Sequence, residues 1–365
     1  MINIKKLMLK FKSEALINNL FNITIAIVVA LIISGIFILF MGVNPFYAFE
    51  MLFYGVFGSV FGIGEMLAKA TPLLLVGLGV SIAFKGGMTN LGGDGQFLVG
   101  AILATIAGTN IVGLPTPIHM ILIVIVAALG GAIWGGIAGF LKAKYNTNEV
   151  IMTIMMNYIA LYIFSYLIES PLRDPSGVLP QSKSIPIPLQ IPKLLTGTRA
   201  HIGIIFALIL VIIVYLLVNK TMFGYKVKVI GISPKAAVYA GINTFRQTIL
   251  IMAVSGAFAG IAGMVQVYAI HFRLLDGIAG GFGFSAIVVA LLGRLNAYGI
   301  LIASLFVGAL LAGANSMQVS SGVPASIVGI TQAVVILLIL INQNSKSKFL
   351  NKLFSKKERE VVQDE

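Results

Sequence analysis

Ten largely apolar runs follow one another along this sequence, and most are long enough to cross a membrane as a helix. The hydrocarbon core of a bilayer is about 30 Å thick, which a helix spans in about 20 residues. The chain is therefore predicted to be an all-α, multi-pass membrane protein with about ten transmembrane helices. The eighth run is short enough to be re-entrant instead. The runs lie near residues 23–41, 65–84, 96–112, 118–141, 149–169, 201–219, 247–270, 283–297, 299–316 and 324–342.

The composition agrees with this prediction and bears on the orientation. Charged residues make up only 10% of the chain, against roughly 25% in a soluble domain. The net charge of +13 would suggest nucleic acid as the partner of a soluble protein. We attribute it here to cytoplasmic loops, where Lys and Arg accumulate. With the N-terminus inside, 19 of the 25 basic residues fall in cytoplasmic segments and five outside. Both termini are thus expected in the cytoplasm, with no nucleic-acid partner.

Three parts are predicted along the chain. Residues 1–20 form a cytoplasmic N-terminal segment, residues 21–342 the transmembrane domain, and residues 343–365 a basic cytoplasmic tail. Within the transmembrane domain, residues 170–200 hold six of the 12 prolines. Proline at this density prevents a helix, so an extended external loop is expected. Two interpretations stay open for this loop, a surface that receives an external partner and a plain connector.

The ten runs divide into two groups of five around the external loop. Two halves with an odd number of spans insert with opposite orientation, which is the arrangement of inverted repeats in transporters. Each half also has a glycine-rich approach to a span, at residues 86–95 and 277–283. We therefore consider inverted five-helix repeats, although the two stretches share little beyond glycine.

Residues 220–246 form the one long interruption that carries five basic residues and no acidic residue. Ser233 is a good N-cap, Pro234 suits the first helical position, and Gly241 can adopt the left-handed closing conformation. A helix this short is marginal in water without a surface to hold it. We therefore predict that it docks a soluble cytoplasmic partner. The predicted docking residues are Ser233, Pro234, Lys235, Ala236, Tyr239 and Gly241.

The most unusual apolar stretch places Asp94 among five glycines, with Asn90 and Gln96 nearby. An ionisable residue inside a membrane is by default a functional hypothesis. One interpretation is that these carboxylate and amide groups bind the hydroxyls of a sugar-like substrate. The other is that Asp94 caps the third span from within its first turn. The two roles are compatible, and both stay open.

Asn157 carries an amide near the middle of the fifth span. It either lines a pore or bonds a neighbouring helix, as polar residues in membranes often do, and we favour the second role slightly. Earlier in the same segment, Asn146 and Glu149 have the spacing of a capping box at the start of this span.

Two further patterns indicate contacts within and between helices. Glu65 and Lys69 are four residues apart and can pair on one helix face. Glycines with the spacing of helix-packing faces are Gly131, Gly135, Gly139, Gly256 and Gly260.

The sequence lacks the common catalytic motifs. It has no phosphate-binding GxxxxGK[ST] motif, no HExxH or GxSxG motif and no cysteine. Its three histidines form no motif, so no catalytic, metal or cofactor site is expected.

Four stretches carry a resemblance to permeases of ATP-binding-cassette importers for ribose, branched-chain amino acids and nucleosides. GMTNLGGDGQFLVGA resembles their N-[IL]-G-x-[ED]-G-Q stretch, and NEVIMTIMMNYIALYI resembles the corresponding segment of the nucleoside branch. That branch works with lipoproteins of the basic-membrane-protein type. GISPKAAVYAGIN is similar to the cytoplasmic coupling loop, and GFGFSAIVVALLGRLNAYGI to the late glycine-rich span. One departure is Asp94, where the family commonly has the longer Glu.

The resemblance implies a type II importer fold and a function that the other observations do not give. We expect a bacterial cell-membrane permease that imports nucleosides and catalyses no reaction itself. Its expected partners are a second permease subunit, two cytoplasmic ATPase subunits and an extracellular lipoprotein. ATP hydrolysis is expected on the separate ATPase. The alternatives are a simple-sugar permease of the ribose type and an ion-coupled secondary transporter. The last should carry several intramembrane carboxylates or histidines.

Overall fold

The computed structural model describes residues 24–176 and 179–341, and the regular secondary structure of this part of the chain is helical, with no β-strand. The predicted segments 1–20 and 343–365 lie outside the described residues. The helices are α1 (Thr24–Phe40), α2 (Pro45–Phe57), α3 (Val60–Lys85), α4 (Gly93–Asn110), α5 (Thr116–Tyr145), α6 (Glu149–Glu169), α7 (Gly203–Lys220), α8 (Met222–Ile232), α9 (Pro234–Tyr239), α10 (Thr244–Gln266), α11 (Phe282–Leu292), α12 (Ala297–Ser321) and α13 (Ile327–Ile341).

Every predicted apolar run contains a helix, and the all-α prediction is confirmed. Six helices within the described residues are long and apolar enough to cross a membrane: α3, α5, α6, α7, α12, and α10 together with its continuation to His271. A seventh span results if α1 and α2, which are bent by 117°, count as one. The eighth predicted run is indeed short, because α11 has only 11 residues. Whether ten segments cross the membrane stays a prediction.

The described residues at the two ends of the chain, 24–50 and 317–341, form one compact unit. The buried hydroxyls of Ser34 and Thr331 are hydrogen-bonded at 2.7 Å and join α1 to α13. Thr331 also donates to the carbonyl of Ile327 one turn earlier. The hydroxyl is thereby satisfied where no water is available, as a membrane interior requires.

Residues 51–316 form the second compact unit, in which α10 packs against α3, α4 and α5. The close approach of α4 and α5 to α10 depends on glycine. A Cβ placed on Gly131 of α5 would collide with the carbonyl oxygen of Gly256 on α10, and one on Gly100 of α4 would collide with Gly260. The interpretation of these glycines as helix-packing faces is confirmed.

Replacing Gly131 with alanine is expected to force α5 and α10 apart and to destabilise the protein by about 1–3 kcal/mol. The matched control is Gly136→Ala on the same helix, whose new methyl group would lie 3.6 Å from the Cβ of Ala253, an ordinary contact. Thermal unfolding of both purified variants in detergent checks the prediction. Equal unfolding temperatures for the two variants would contradict it.

One end of the larger unit collects basic connectors that the sequence analysis assigned to the cytoplasm. Lys142 of α5 forms an ion pair with Glu149 of α6 at 2.9 Å. Glu149 also receives a hydrogen bond from the backbone of Thr89, in the connection between α3 and α4. Gly231 of α8 packs against Gly87 in that same connection. The α3–α4, α5–α6 and α8–α9 connections therefore lie together at what we call the basic end.

The segment between α6 and α7 lies against the chain that follows α10. The N–H of Ile185 donates to the carbonyl of Phe272 at 2.7 Å, and that of Ile191 donates to the carbonyl of Tyr268 at 2.8 Å. The prolines prevent helix formation as expected, apart from one short turn at Ile187–Leu189. These backbone contacts hold the part of the segment around Ile185 and Ile191 against the chain that follows α10.

Two local predictions are corrected, and one helix was missed. The segment 220–246 is not all loop before the short helix, because α8 precedes it and is capped by Thr221. The capping box from Asn146 to Glu149 is wrong. Asn146 instead ends α5 in the left-handed conformation, and Asn148 caps α6 by accepting from the N–H groups of Val150 and Ile151. Helix α2 was not predicted.

Candidate functional site

The polar stretch before α4 forms a closed hydrogen-bonded cluster with α10. The Nδ2 of Asn90 donates to the Oε1 of Gln96 at 3.0 Å and to the hydroxyl of Ser255 at 2.8 Å. Its Oδ1 accepts from the backbone of Gly92 and from the Nε2 of Gln96. Asn90 and Gln96 are each 1% exposed. Their hydrogen-bonding groups therefore fix the backbone here and do not face an open path.

This cluster lies well inside the helices, about 12–17 Å from the basic end. A Cβ on Gly93 would lie 3.2 Å from Val76, which precedes the end of α3 at Lys85 by nine residues, or about 13 Å of helix. Asn157 and Ser255, which bond the same segment, lie eight and eleven residues into α6 and α10, or about 12 and 17 Å. Three helices thus give the same depth from the basic end. The chain after α3 re-enters the protein before α4 begins.

Asp94 connects the N-termini of two helices that are far apart in sequence. It is the second residue of α4, and its Oδ1 accepts from the N–H of Gly283, in the first turn of α11, at 2.7 Å. The backbone of Phe284 donates to it as well. Both helix N-termini carry partial positive charge, which a buried carboxylate compensates. The predicted cap of the third span is corrected in this respect, because α4 has Gly92 as its N-cap with no side-chain bond, and Asp94 caps α11.

Asn157 has the helix-bonding role that we favoured. Its Oδ1 accepts from the N–H of Gly95 at 2.8 Å, and its Nδ2 donates to the carbonyl of Leu91 at 2.8 Å. The side chain therefore joins α6 to the start of α4. All four predicted path residues meet in one cluster. Asn90, Gln96 and Asn157 hydrogen-bond within it, and Asp94 joins it to α11.

A polar cavity of about 230 Å³ lies on the other side of this cluster from the basic end. Glu65 near the start of α3 approaches the Nε of Arg199 at 3.4 Å. Glu65 thus forms an ion pair with the α6–α7 segment, in addition to the electrostatic interaction with Lys69 that the spacing predicted. Phe282, which directly precedes Gly283, lines the cavity next to the Asp94 contact. Its lining residues include Glu65, Lys69, Arg199, Gln266, His271 and Phe282.

Helix α6 exposes a different surface from its neighbours. The exposed positions of α5 and α7 are mainly aliphatic, as a lipid-facing surface requires, with Phe140 and Tyr145 exposed only near the basic end of α5. In contrast, Tyr158, Tyr162 and Tyr166 of α6 are 54%, 72% and 64% exposed. Spaced four residues apart, they lie on one face. Tyr158 is about 13 Å from the start of α6, and its hydroxyl bonds no described residue. A hydroxyl left unbonded in hydrocarbon costs roughly 2–7 kcal/mol, so this face is expected to meet a polar environment.

The short helix α9 at the basic end has the predicted ends. The hydroxyl of Ser233 accepts from the N–H of Ala236 at 3.2 Å, Pro234 opens the helix, and Gly241 has φ +71°. Ala237 is fully buried beneath it, while Val238 and Tyr239 are 60% and 92% exposed. A capped helix that leaves these two large side chains exposed is suited to receive a partner.

Sequence reasoning missed Ser255, Gly283, Arg199 and the tyrosine face. Ser255 is an ordinary residue in an apolar helix. Gly283 belongs to the glycine-rich stretch 277–283 that was noted, but nothing along the chain indicates that its N–H binds Asp94. The tyrosines do repeat every four residues, so the spacing alone was a usable signal. Exposure, which only the packing defines, is what distinguishes their face from the rest of α6.

Comparison with known proteins gives a consistent result. Residues 62–341 match the family described as "Branched-chain amino acid transport system / permease component". The chain is 37% identical over 319 residues to the guanosine ABC transporter permease protein NupP of Bacillus subtilis, covering 86% of this chain and 91% of that one. It is 34% identical to the nucleoside ABC transporter permease protein NupB of Lactococcus lactis (87% and 89% covered). A glucose ABC transporter permease of Haloferax volcanii is 33% identical (87% and 86% covered). No solved structure matches the chain.

Proposed function

The chain belongs to the permease-component family of branched-chain amino acid transport systems, and from this membership we propose that it is the pore-forming subunit of an ATP-driven nucleoside importer. The observation that carries the proposal is the similarity to two nucleoside permeases along nearly their whole length. The family is one of transporter permeases and not of enzymes. Membership also argues against the ion-coupled secondary transporter. The glucose permease among the relatives keeps a sugar as the second candidate substrate.

The meeting of α4 and α11 supports an inverted-repeat fold of about ten spans. These helices contain the third run of each five-run half, and both begin at mid-membrane, joined by Asp94 and Gly283. Discontinuous helices that meet near the midplane, at the interface of two repeats, are typical of transporter sites. We propose that these helices border the substrate path and that four side chains hold their junction in place without binding the substrate. These are Asn90, Asp94, Gln96 and Asn157.

A second permease subunit, related or identical, completes the pore in this proposal. The tyrosine face of α6 supports it, because three exposed aromatic rings whose hydroxyls bond no described residue fit a water-containing path between two subunits better than lipid. Aromatic rings can stack on a nucleobase, since every base has a π-face. The aliphatic faces of α5 and α7 are then the lipid-facing sides.

Coupling to ATP is proposed to occur at the basic end, which would be cytoplasmic with both termini on that side. The exposed residues Lys235, Ala236 and Tyr239 of α9 would dock in a groove of a cytoplasmic ATPase subunit, with Ser233, Pro234 and Gly241 fixing the ends of the helix. Because Gly231 of α8 packs against the α3–α4 connection, movement of α8 and α9 would reach the Asp94 junction directly. At the opposite end, the segment 170–200 is the proposed surface for an extracellular substrate-binding lipoprotein.

Reconstitution tests the proposed function. Vesicles containing the permease with its second permease subunit, ATPase and lipoprotein should take up radiolabelled guanosine only when ATP is supplied to the ATPase side. Uptake should persist when ionophores abolish the membrane potential. Unlabelled nucleosides should compete, whereas ribose, glucose and leucine should not. Competition by glucose alone would favour the sugar permease, and dependence on the potential would overturn the importer.

A further inference from the structure

The polar cavity beside Phe282 contains two buried acceptor atoms that accept no hydrogen bond from the described residues. Gln266 is 8% exposed, and its Oε1 accepts no hydrogen bond, while its Nε2 lies 3.3 Å from the Nε2 of His271. The Oε1 of Glu65 is also buried, and Arg199 approaches it at an ion-pair distance of 3.4 Å without a hydrogen bond. Buried polar atoms are hydrogen-bonded in nearly all native structures. These two acceptors therefore indicate a ligand that brings its own donors.

Cationic donors line the same cavity. Lys69 lies one turn beyond Glu65 on α3, and Arg199 enters from the α6–α7 segment. The ammonium and guanidinium groups can only donate, whereas the carboxylate and the amide oxygen can only accept. A hydroxyl does both. A vicinal diol, with two adjacent hydroxyls, can thus satisfy an acceptor and a donor of this cavity at the same time.

Phe282 forms an aromatic wall of the cavity, next to the junction of α4 and α11. The ring of Phe282 lies against the ring of Phe97 with centroids 6.2 Å apart, which fixes its orientation. The next residue, Gly283, donates to Asp94. A ligand held in the cavity would therefore contact the start of α11 directly, where the two broken helices meet.

We propose that this cavity binds the nucleoside on its way through the permease, with the ribose diol at Glu65 and Gln266 and the base against Phe282. The inference rests on the proposed function and deepens it, because it names the part of the substrate that the permease itself recognises. A simple sugar offers hydroxyls for the polar side but no flat base for Phe282. A branched-chain amino acid offers neither a diol nor a ring.

Binding to the assembled permease–ATPase complex in nanodiscs, without the lipoprotein, tests the inference. The probes are radiolabelled guanosine and 2′,3′-dideoxyguanosine, which lacks the diol. The wild type should bind guanosine about tenfold more tightly than the dideoxy compound, the loss expected when buried polar groups stay unpaired. Gln266→Met keeps the size of the side chain and removes the acceptor. It should lower guanosine affinity by about tenfold and leave dideoxyguanosine affinity unchanged.

Gln247→Met is the matched control, because Gln247 is a buried glutamine of the same helix, 5% exposed, that does not line the cavity. It should bind both compounds like the wild type. A second variant, Phe282→Leu, should weaken both compounds to the same extent. Thermal unfolding of each complex verifies that it is folded, and Gln266→Leu replaces Gln266→Met if the latter does not assemble.

The possible results separate the inference from the proposed function. Equal loss of both compounds in Gln266→Met, or no loss of either, overturns the diol site. So does the absence of measurable guanosine binding to a wild-type complex that transports guanosine in vesicles. Failure of the complete wild-type system to transport any nucleoside overturns the proposed function itself, whatever Gln266 does.

Discussion

Replacing Asp94 with alanine is expected to destabilise the protein by about 3 kcal/mol and to reduce uptake at least about tenfold. The carboxylate accepts from the N–H of Gly283 at 2.7 Å and compensates the positive ends of α4 and α11. Without it, these donors stay unpaired in the interior of the helix bundle, where a lost acceptor is costly. The junction that joins the two broken helices would then open or shift.

Asp94→Asn separates hydrogen bonding from charge. The amide oxygen can still accept from Gly283, but the negative charge between two helix N-termini is lost, so we expect an intermediate loss of stability and a severe loss of uptake. Thermal unfolding in detergent and ATP-dependent uptake in vesicles measure the two effects. Asp174→Ala is the control for the unfolding measurement, since Asp174 also accepts backbone and side-chain hydrogen bonds but lies on the exposed α6–α7 segment. Normal uptake by a stable Asp94→Ala protein would disprove the role of the junction.

The second large effect is expected at α9. Ala236→Arg should insert normally and unfold at the wild-type temperature, yet lose the ATPase on purification and lose most uptake. Ala236 is exposed, and the helix is held from below by the buried Ala237, so the new side chain disturbs no packing within the described chain. In a docked complex the same side chain would place bulk and charge in the contact surface, which typically costs several kcal/mol.

Thr196→Arg provides the control for Ala236→Arg, because Thr196 is exposed on the segment between α6 and α7, away from the basic end. Its complex should retain the ATPase. Tyr239→Ala removes the most exposed side chain of α9 and should weaken ATPase binding without adding charge. Co-purification of the ATPase with Ala236→Arg at wild-type stoichiometry, with normal uptake, would show that coupling occurs elsewhere.

Features with local causes were predicted well from the sequence. Each apolar run contains a helix, because burying about 20 consecutive apolar residues in lipid leaves the backbone no other way to satisfy its hydrogen bonds. The ends of α9 were also predicted, since Ser233, Pro234 and Gly241 act on backbone groups within three residues of themselves. The Asn146 cap failed for a related reason. Two asparagines flank this turn, and spacing alone favoured the one that the fold uses to end α5.

What only the tertiary structure decided is which distant groups share a buried space. Asp94 was recognised as unusual, but its partner Gly283 is 189 residues away and makes the contact through its backbone, which the sequence does not indicate. Glu65 was paired with its helical neighbour Lys69, whereas the fold brings Arg199 to it from another segment. Apolar burial and helix capping depend on nearby residues and can be read along the chain. The meeting of two helix N-termini depends on how all the helices pack, so it emerges only when the chain is folded.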